Sequence, residues 1–529
     1  MNKVSRREML KLMGVSSVGL ALAACAPAGS APAAGGSGAA SATKAPVTIT
    51  LIESWFGVPQ YPESIDPVTT AISKKMKDEG LDIELKSLIL ADHDTKYPAL
   101  YASGSDFTMA FDAPWNKMNS LRDQGALATI EGLIDSKGPK LKEEITEKIY
   151  NVNFTKGHLY GIPTAFYYGG TGGVLFREDL RQKFNADMPT SEGGWPSLES
   201  FLAAVQKNAP DMIPFVNVAT QSIVGFSQGT HAADNIGVPK TGVLIPDATK
   251  DWKFIDQEDF EPLVENAKLV RTWWEKGYIN KTDVPFSGTS QNSEVDYILP
   301  GKAAACVENE PEYKHVDYTK QLKASNKDGV LGGVDMRGMR AGKIKPLGAL
   351  KQWNFIVFNV NAPQAQQEAG IQYFNWLASS QDNMDLWLMG IDGVNYKKEA
   401  DLKFSEIEGV DAARNYRRQW YVSGISGRYQ RQPADLPQDA QDALKFFTTE
   451  SNWEFNPYES FEADTKALEV DASKLNGIYD EAVHGFMSGQ VATDEASKAM
   501  KTHLDDAGRQ TYKEKLQKQL DDYIAAHKA

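Results

Sequence analysis

The sequence predicts an α/β protein with two or more lobes and a helical carboxyl-terminal region. Three observations lead to this prediction. The chain has 529 residues and is 42% hydrophobic, which is enough for more than one core. Apolar, β-branched segments alternate with helical segments from Val47 onward, as expected for crossover connections in a parallel sheet. From residue 365 onward, most of the chain has helical periodicity.

The first part of the fold is predicted to be strand, helix, strand, helix, strand. The strands are "VTITLIESW" (47–55), "LDIELKSLIL" (81–90) and "DFTMAFD" (106–112). Between them, "VTTAISKKMKDEG" (68–80) and "DHDTKYPALYASGS" (92–105) are helical and end in turn residues. Such a series of crossovers predicts that the three strands lie parallel in one sheet.

The later elements follow the same reasoning. Helices are predicted in 179–185, 197–209, 260–277 and 511–529, and extended structure in 212–218 and 341–359. The helix over 260–277 ends on a glycine, a common helix stop. The segment 511–529 is predicted to be an amphipathic surface helix.

The amino terminus is predicted to be an export signal rather than part of the fold. A basic segment is followed by the apolar run 12–24, which is shorter than the roughly 20 residues of a spanning helix. The segment "SRREMLK" resembles a twin-arginine signal, with Met9 where Phe is usual, and "LAAC" resembles the bacterial lipobox. By that resemblance residues 1–24 are a lipoprotein signal peptide and Cys25 is lipidated. An ordinary secretory signal with an incidental Cys25 is the alternative.

Residues 25–45 are rich in Ala, Gly, Ser and Pro, a composition that predicts a flexible tether. The full chain has a net charge of −14, and removal of residues 1–24 leaves 52 basic and 69 acidic residues, a net charge of −17. Such a chain is a poor partner for nucleic acid and for anionic lipid, so the expected membrane contact is the lipid anchor alone.

Motifs for catalysis or for a cofactor are missing from the sequence. There is no G-x-S-x-G, no phosphate-binding G-x-x-x-x-G-K-[ST], no H-E-x-x-H and no twelve-residue calcium loop, so neither a metal nor a cofactor is expected. With Cys25 lipidated, Cys306 has no disulfide partner and is predicted to be a buried structural thiol.

Two carboxylates are the best candidates for catalysis. Glu308 and Glu310 lie two residues apart in a predicted strand and would therefore share a face. Their spacing would permit a glycosidase pair. The alternative is that they are solvated or bind ligand hydroxyl groups.

Aromatic residues are the stronger signal. Several follow predicted strands or helices, where open α/β sheets place ligands, and indole rings match the apolar faces of sugars. The alternative for each tryptophan is core packing. The candidates of this class are Trp55, Trp115, Tyr167, Tyr168, Trp274 and Trp353, with Asp112 beside Trp115.

Several segments, in this order, resemble extracellular solute-binding proteins of bacterial ABC importers. They include "LYASGSDFTMAFDAPW", "KGHLYGIPTAFYYGGTGGVLFREDL", "GKAAACVENEPE" and "FNWLASSQDNMDLWLMGIDGVNY". The resemblance covers about Val47 to Ile524 and is greatest to the large LipO-type lipoproteins, whose relatives include binders of alginate oligosaccharides. Those relatives carry a calcium loop that "QKNAPDMIPF" has no room for, so neither calcium nor alginate specificity is inferred here.

The resemblance implies a type II periplasmic-binding-protein fold with ligand in the cleft between two lobes. The expected lobes are 46–165 plus 349–395, and 166–348 plus 396–529. Trp274 and Trp353 would stack on sugar rings from opposite walls, and Tyr396 would be a further ligand residue. The expected ligand-binding set is Trp55, Asp112, Trp115, Tyr167, Tyr168, Trp274, Glu308, Glu310, Trp353 and Tyr396.

The function implied is capture of a carbohydrate, with an oligosaccharide as the expected ligand, by a monomeric receptor on the outer face of the membrane or in the periplasm. Closure of the lobes around the ligand would precede docking on an ABC permease. Two other functions are compatible with the sequence. One is a surface hydrolase or lyase that uses Glu308 and Glu310, and the other is a binding lipoprotein that serves a sensor kinase.

Overall fold

The computed structural model describes the following residues, and every structural statement concerns them. They are 45–54, 65–90, 93–104, 106–164, 168–169, 172–217, 223–224, 241–281, 295–343, 345–407, 416, 418, 425–464, 466–468 and 470–527. The signal peptide, Cys25, nearly all of the tether, Trp55 and Tyr167 lie outside these ranges, and predictions about them stay predictions.

Strands and helices alternate through the chain and give way to helices at its end. The strands are β1 Val47–Ser54, β2 Ile83–Leu90, β3 Met109–Asp112, β4 Gly161–Pro163, β5 Gly173–Arg177, β6 Val243–Leu244, β7 Ile255–Asp256, β8 Ala305–Glu308, β9 Leu331–Asp335, β10 Leu347–Gly348, β11 Phe355–Phe358, β12 Lys397–Lys398, β13 Lys403–Ser405, β14 Gln432–Pro433 and β15 Glu454–Phe455. The helices are α1 Ile65–Asp78, α2 His93–Ala102, α3 Met118–Asp123, α4 Glu131–Lys137, α5 Pro139–Ile145, α6 Glu147–Val152, α7 Glu178–Phe184, α8 Glu199–Asn208, α9 Glu261–Lys276, α10 Val295–Ile298, α11 Pro311–Ser325, α12 Gln364–Leu377, α13 Gln381–Leu388, α14 Gln438–Thr448, α15 Ala472–Ser488, α16 Thr493–Asp506 and α17 Arg509–His527.

The first sheet has five strands in the order β2-β1-β3-β11-β4. β1 pairs in parallel with β2 and with β3, which confirms the predicted crossover arrangement. β11 runs antiparallel to β3 and β4 and places Phe355 opposite Asp112. The carboxyl end of β3 and the amino end of β11 therefore meet at the same edge of the sheet.

The second sheet is built around β5, in the order β8-β5-β9, with both neighbours antiparallel to β5. Gly173 lies opposite Glu308 and Asp335, and a Cβ there would come within 2.1 Å of the Val334 carbonyl oxygen. Only a glycine permits this close approach. The predicted strand over 212–218 forms isolated parallel bridges to Ala303, Ile279 and Cys306 instead of a continuous ladder.

Helix α9 shows how local sequence fixes an element of the second core. Its first turn contains a proline, which needs no amide partner there. Leu263, Ala267, Val270 and Trp273 are buried at helical spacing. Gly277 ends the helix at φ 75°, a conformation that costs glycine little. The predicted helix over 260–277 is thus confirmed to within one residue at each end.

The carboxyl-terminal region consists of the helices α15, α16 and α17. The amphipathic character predicted for 511–529 is confirmed, because α17 buries Tyr512, Leu516, Leu520 and Ile524 at a spacing of four residues. The buried Arg509 donates to both carboxylate oxygens of Glu258, at 2.7 and 2.6 Å, and so ties this helix to the middle of the chain. Removal of either Arg509 or Glu258 alone would leave the other as an unpaired buried charge, which strongly destabilises a fold.

Among the described residues, the two largest clusters of buried hydrophobic side chains pack on the first and second sheets. The core of the first sheet includes Ile49, Phe358 and Trp387, and it also includes Tyr396, Phe404 and Tyr429 from later in the chain. The core of the second sheet includes Phe176, Trp273 and residues of α15 to α17. Cys306 is buried, as predicted. Within the described ranges, no helix combines the length and apolar character needed to cross a bilayer.

Candidate functional site

Two exposed tryptophans lie together at the edge of the first sheet. Trp115 follows β3 and is 60% exposed, and Trp353 precedes β11 and is 56% exposed. The pairing of Asp112 with Phe355 brings their loops together, and the Trp115 indole N–H donates to Asn354 Oδ1 at 3.2 Å. β1, β2 and β3 all end at this edge, where open α/β sheets bind ligands. The sequence indicated each residue but not that they adjoin.

Asp112 holds the turn that carries Trp115. The side chain is fully buried, and Oδ1 accepts hydrogen bonds from the amides of Ala113 at 2.8 Å and Lys117 at 3.1 Å. A carboxylate that accepts from amides one and five residues further along the chain fixes the backbone between them. This geometry makes Asp112 a positioning residue for Trp115, whereas the sequence suggested contact with ligand hydroxyls.

Glu308 and Glu310 come together through a lysine rather than through a shared strand. β8 ends at Glu308, and Glu310 lies at the start of α11, so the predicted common strand face does not form. Lys314 Nζ lies 2.8 Å from a carboxylate oxygen of each. The Asn309 amide also donates to Glu308 Oε1, at 2.7 Å. The two carboxylates are thus partners of one ammonium group at the edge of the second sheet.

A third carboxylate at this edge, that of Asp335, was not foreseen from the sequence. Asp335 ends β9 and accepts from Ser191 Oγ at 2.8 Å and from the amides of Arg337 at 2.8 Å and Arg340 at 2.9 Å. Burial lowers the pKa of Arg337 to about 10, against the opposing effect of Asp335 and Glu312. The signal available in the sequence was an aspartate directly after a glycine-rich apolar strand, "LGGVD".

Trp274 lies far from that edge along the second-sheet strands. The segments around Ile279, 215–216 and Cys306 run in the same direction, as their parallel bridges show. Trp274 comes before Ile279 and Glu308 comes after Cys306, so these two residues lie at opposite ends of the parallel segments. Lys281 Nζ lies 3.7 Å from the centre of the indole ring and the Arg271 guanidinium carbon lies 4.9 Å from it. Trp274 is therefore flanked by cations at the opposite end of the strands from Glu308.

Two of the candidate tyrosines, Tyr168 and Tyr396, lie in the described part of the chain, and their surroundings differ. Tyr396 is buried in the core of the first sheet, where burial raises its pKa. Tyr168 is half-buried, packs edge-on against Phe455 at 5.5 Å, and donates to Glu450 at 3.4 Å. Burial, together with Glu450, raises the pKa of Tyr168. Its carbonyl oxygen accepts from the Ala349 amide at 2.7 Å, which joins two segments that connect the sheets.

In the part of the chain that the structure describes, no cluster of three or more His, Cys, Asp or Glu side chains is arranged to hold a metal ion.

Residues 457–525 match the model of a family described as a domain of unknown function, DUF3502. Comparison with curated proteins finds no match.

Solved structures match over nearly the whole chain. The N-glycan transport solute-binding protein NgtS of Streptococcus pneumoniae has a TM-score of 0.70 at 17% identity, covering 91% of this chain and 100% of NgtS. The ABC-transporter substrate-binding protein FusA of S. pneumoniae, in complex with kestose, has a TM-score of 0.60 at 16% identity, covering 90% and 100%. A human-milk-oligosaccharide (HMO) binding, ABC-transporter-associated protein from Bifidobacterium longum infantis has a TM-score of 0.56 at 14% identity, covering 91% and 99%. The chain therefore has the two-lobe α/β fold of ABC-transporter solute-binding proteins, as its sequence predicts.

Proposed function

We propose that this chain is an extracellular solute-binding protein that captures a carbohydrate, and specifically an oligosaccharide, for an ABC importer. The observation that carries the proposal is the likeness to NgtS, FusA and the milk-oligosaccharide binder over at least 90% of this chain. Each of those proteins is named for carbohydrate transport or has been solved with a carbohydrate. The exposed pair Trp115 and Trp353, at the ligand-binding edge of an α/β sheet, supports the same function.

The proposed ligand site has Trp115 and Trp353 as its aromatic surface. Aromatic rings at such a surface give apolar contact area, and polar groups around them fix the orientation of the ligand. Trp55 and Tyr167 remain proposed members from the sequence. Glu308 and Glu310 are proposed members on the second sheet, as acceptors of hydroxyl groups. Trp274 is left out because it lies at the opposite end of the second-sheet strands from Glu308, and Tyr396 is left out because it is buried in the core of the first sheet.

The proposed mechanism is capture by closure of two lobes. A ligand that contacts both lobes binds the closed state better than the open state, and this difference shifts the equilibrium towards closure. We retain the proposed lobes 46–165 plus 349–395, and 166–348 plus 396–529, with one adjustment. The packing of Tyr396, Phe404 and Tyr429 in the core of the first sheet favours a boundary near residue 430 rather than 395.

The proposal includes lipid attachment at Cys25 and a tether over residues 25–45. An anchored receptor stays at high local concentration near its permease. The receptor is proposed to be a monomer, with the membrane reached through the lipid alone and with no nucleic-acid partner. Its place is the outer face of the cell membrane or the periplasm.

Hydrolysis of a polysaccharide is the competing function, and the geometry of the carboxylates does not favour it. A glycosidase needs one carboxyl group as acid and the other as base or nucleophile. Here Lys314 is an ion-pair partner of both Glu308 and Glu310. Both groups are thus held in one structural ion-pair cluster.

A thermal-shift screen with neutral oligosaccharides, followed by an assay for new reducing ends, tests the proposal. A saturating ligand that binds only the folded state raises its stability, by about 2.7 kcal/mol at 100 times the dissociation constant. We expect stabilisation by at least one oligosaccharide and no new reducing ends. New reducing ends would contradict capture, and stabilisation by none of the carbohydrates would contradict the ligand class.

A further inference from the structure

A cavity, separate from the surface around Trp115 and Trp353, lies beside the segments that connect the first and second sheets. It has a volume of about 460 Å³, and neither Trp115 nor Trp353 lines it. Its walls come from α5 and α6, from Tyr168, from the segment 426–432 and from α14. Ligand pockets typically measure about 300–1,000 Å³, so the cavity has the size of a binding site.

One wall is a single face of α14. Gln441, Leu444, Lys445 and Thr448 line the cavity at the spacing of one helical face. The helix cannot rotate freely, because Ala440, Ala443 and Phe447 pack in a buried cluster with Trp453. Gln441 is held in place, since its Nε2 donates to the Leu436 carbonyl oxygen at 2.7 Å. The cavity therefore has a preformed wall.

The opposite wall contains a buried carboxylate. The Glu144 side chain is only 7% exposed, and it forms an ion pair with Arg428, whose side chain is 64% exposed. Burial raises the pKa of Glu144, while Arg428 and the hydrogen bonds of Tyr429 and Ser426 act in the other direction. Buried charged groups need hydrogen-bond partners. Hydroxyl groups of a ligand would add such partners to Glu144.

The rest of the lining is amide, hydroxyl and aromatic. The side-chain amides of Gln430 and Gln432 also line the cavity, and each offers two donors and an acceptor. The half-buried Tyr168 ring contacts Phe455 edge-on and also lines the cavity. Hydrogen-bonding groups, including the charged Glu144, Arg428 and Lys445, beside an aromatic ring match a polyhydroxylated ligand, that is, a sugar.

Hydrogen bonds and a short stretch of chain link the tryptophan pair to the cavity. Thr164 donates to the Asn354 carbonyl oxygen at 3.0 Å through its amide and at 3.2 Å through its hydroxyl. Asn354 is the residue that accepts the Trp115 indole N–H. Tyr168 follows Thr164 by four residues, which span at most about 14 Å. An oligosaccharide of several sugar units is needed to cover such a distance.

We propose that this cavity is a second subsite, which takes a neutral sugar unit of a longer oligosaccharide whose other end lies against Trp115 and Trp353. The inference rests on the proposed function and adds to it the length of the ligand. An oligosaccharide too short to span both places contacts only the tryptophan pair. A longer one gains the hydrogen bonds of Glu144, Gln430 and Gln432.

The test compares a short and a long carbohydrate by calorimetric titration of the full chain. The probes are the pair Man1GlcNAc and Man5GlcNAc, with kestose and nystose as a second pair. The variants are the double substitution Gln430→Leu with Gln432→Leu, and separately Glu144→Gln, which keeps the shape of the side chain. Gln438→Leu is the control, because Gln438 lies exposed on α14 and donates to Asp442 at 2.9 Å. Melting temperature without ligand is recorded for each variant.

We expect the double variant and Glu144→Gln to weaken binding of the long probe by about tenfold, with binding of the short probe within twofold of wild type. The control should leave both unchanged. Unchanged binding of the long probe, or an equal loss for both probes, would overturn the subsite while leaving the proposed function intact. Failure of the wild-type chain to bind either pair would count against the proposed function, and the subsite would fall with it.

Discussion

Replacement of Trp353 by alanine should weaken carbohydrate binding and leave the fold nearly as stable as before. A tryptophan side chain carries up to about 250 Å² of surface, and 56% of Trp353 is exposed without ligand. About 140 Å² is thus available, and a sugar ring on one face would cover about half of it. At about 25 cal/mol per Å² the contact contributes about 1.8 kcal/mol, which corresponds to a roughly 20-fold change in affinity.

The assay is calorimetric titration of Trp353→Ala and Trp115→Ala with an oligosaccharide that the wild-type chain binds. Melting temperature is measured without ligand. Trp387→Ala is the matched control, because Trp387 is 1% exposed and packs in the first core, with the Arg418 guanidinium carbon 3.8 Å from the centre of its ring. Loss of a core tryptophan costs about 3–5 kcal/mol of folding stability, so this control should melt far earlier.

Two results would refute the reasoning. If Trp353→Ala and Trp115→Ala bind as tightly as wild type, the exposed pair is not the sugar-binding surface. If either variant loses stability as severely as Trp387→Ala, the replaced tryptophan is part of the core and not an exposed binding surface. A loss of affinity at nearly unchanged melting temperature is the expected outcome.

Four further predictions concern other parts of the chain. Cys25→Ser should move the protein from the membrane fraction to the supernatant with unchanged ligand affinity, and retention on membranes would contradict the anchor. A chelator should change neither melting temperature nor affinity, and a clear drop in either would indicate a metal site. Gly169→Ala should lower the melting temperature, because its Cβ would lie 2.6 Å from the Trp453 ring, whereas Gly477→Ala, which meets nothing within 4 Å, should raise it slightly; equal effects would contradict the packing at Trp453. Burial opposes ionisation of Asp256, but the hydrogen bonds of Lys513 and Gln510 outweigh it and lower the pKa of this carboxyl group. The contribution of Asp256 to stability is therefore full above the unfolded-state pKa of about 3.9 and is lost as pH falls through the folded-state pKa. The difference in melting temperature between wild type and Asp256→Asn should shrink between pH 7 and pH 3, and a constant difference would contradict this.

The sequence predicted the fold better than the site. Apolar, β-branched runs gave the strands β1, β2 and β3 and their parallel crossovers, because periodicity and turn residues act locally. The segment 212–218 was harder, since Ile213, Phe215 and Val216 have strand composition but pair only through isolated bridges. Whether a segment forms a ladder depends on its neighbours in space, which a local pattern does not contain.

The candidate site depended on pairings between distant segments. That Trp115 and Trp353 adjoin follows from the register of Asp112 with Phe355, more than two hundred residues apart in the chain. That Trp274 lies at the other end of its strands follows from the direction of Ile279 relative to Phe215. The burial of Tyr396 is likewise a product of tertiary packing. Residue type therefore indicated the candidates, and topology decided their positions.

The most direct test of carbohydrate capture is calorimetric titration of the full chain with the neutral oligosaccharides of the thermal-shift screen, with chromatography of the ligand afterwards. The account predicts saturable binding of at least one of them and recovery of that carbohydrate intact. Recovery of cleaved carbohydrate, or the absence of saturable binding to every one of them, would contradict it.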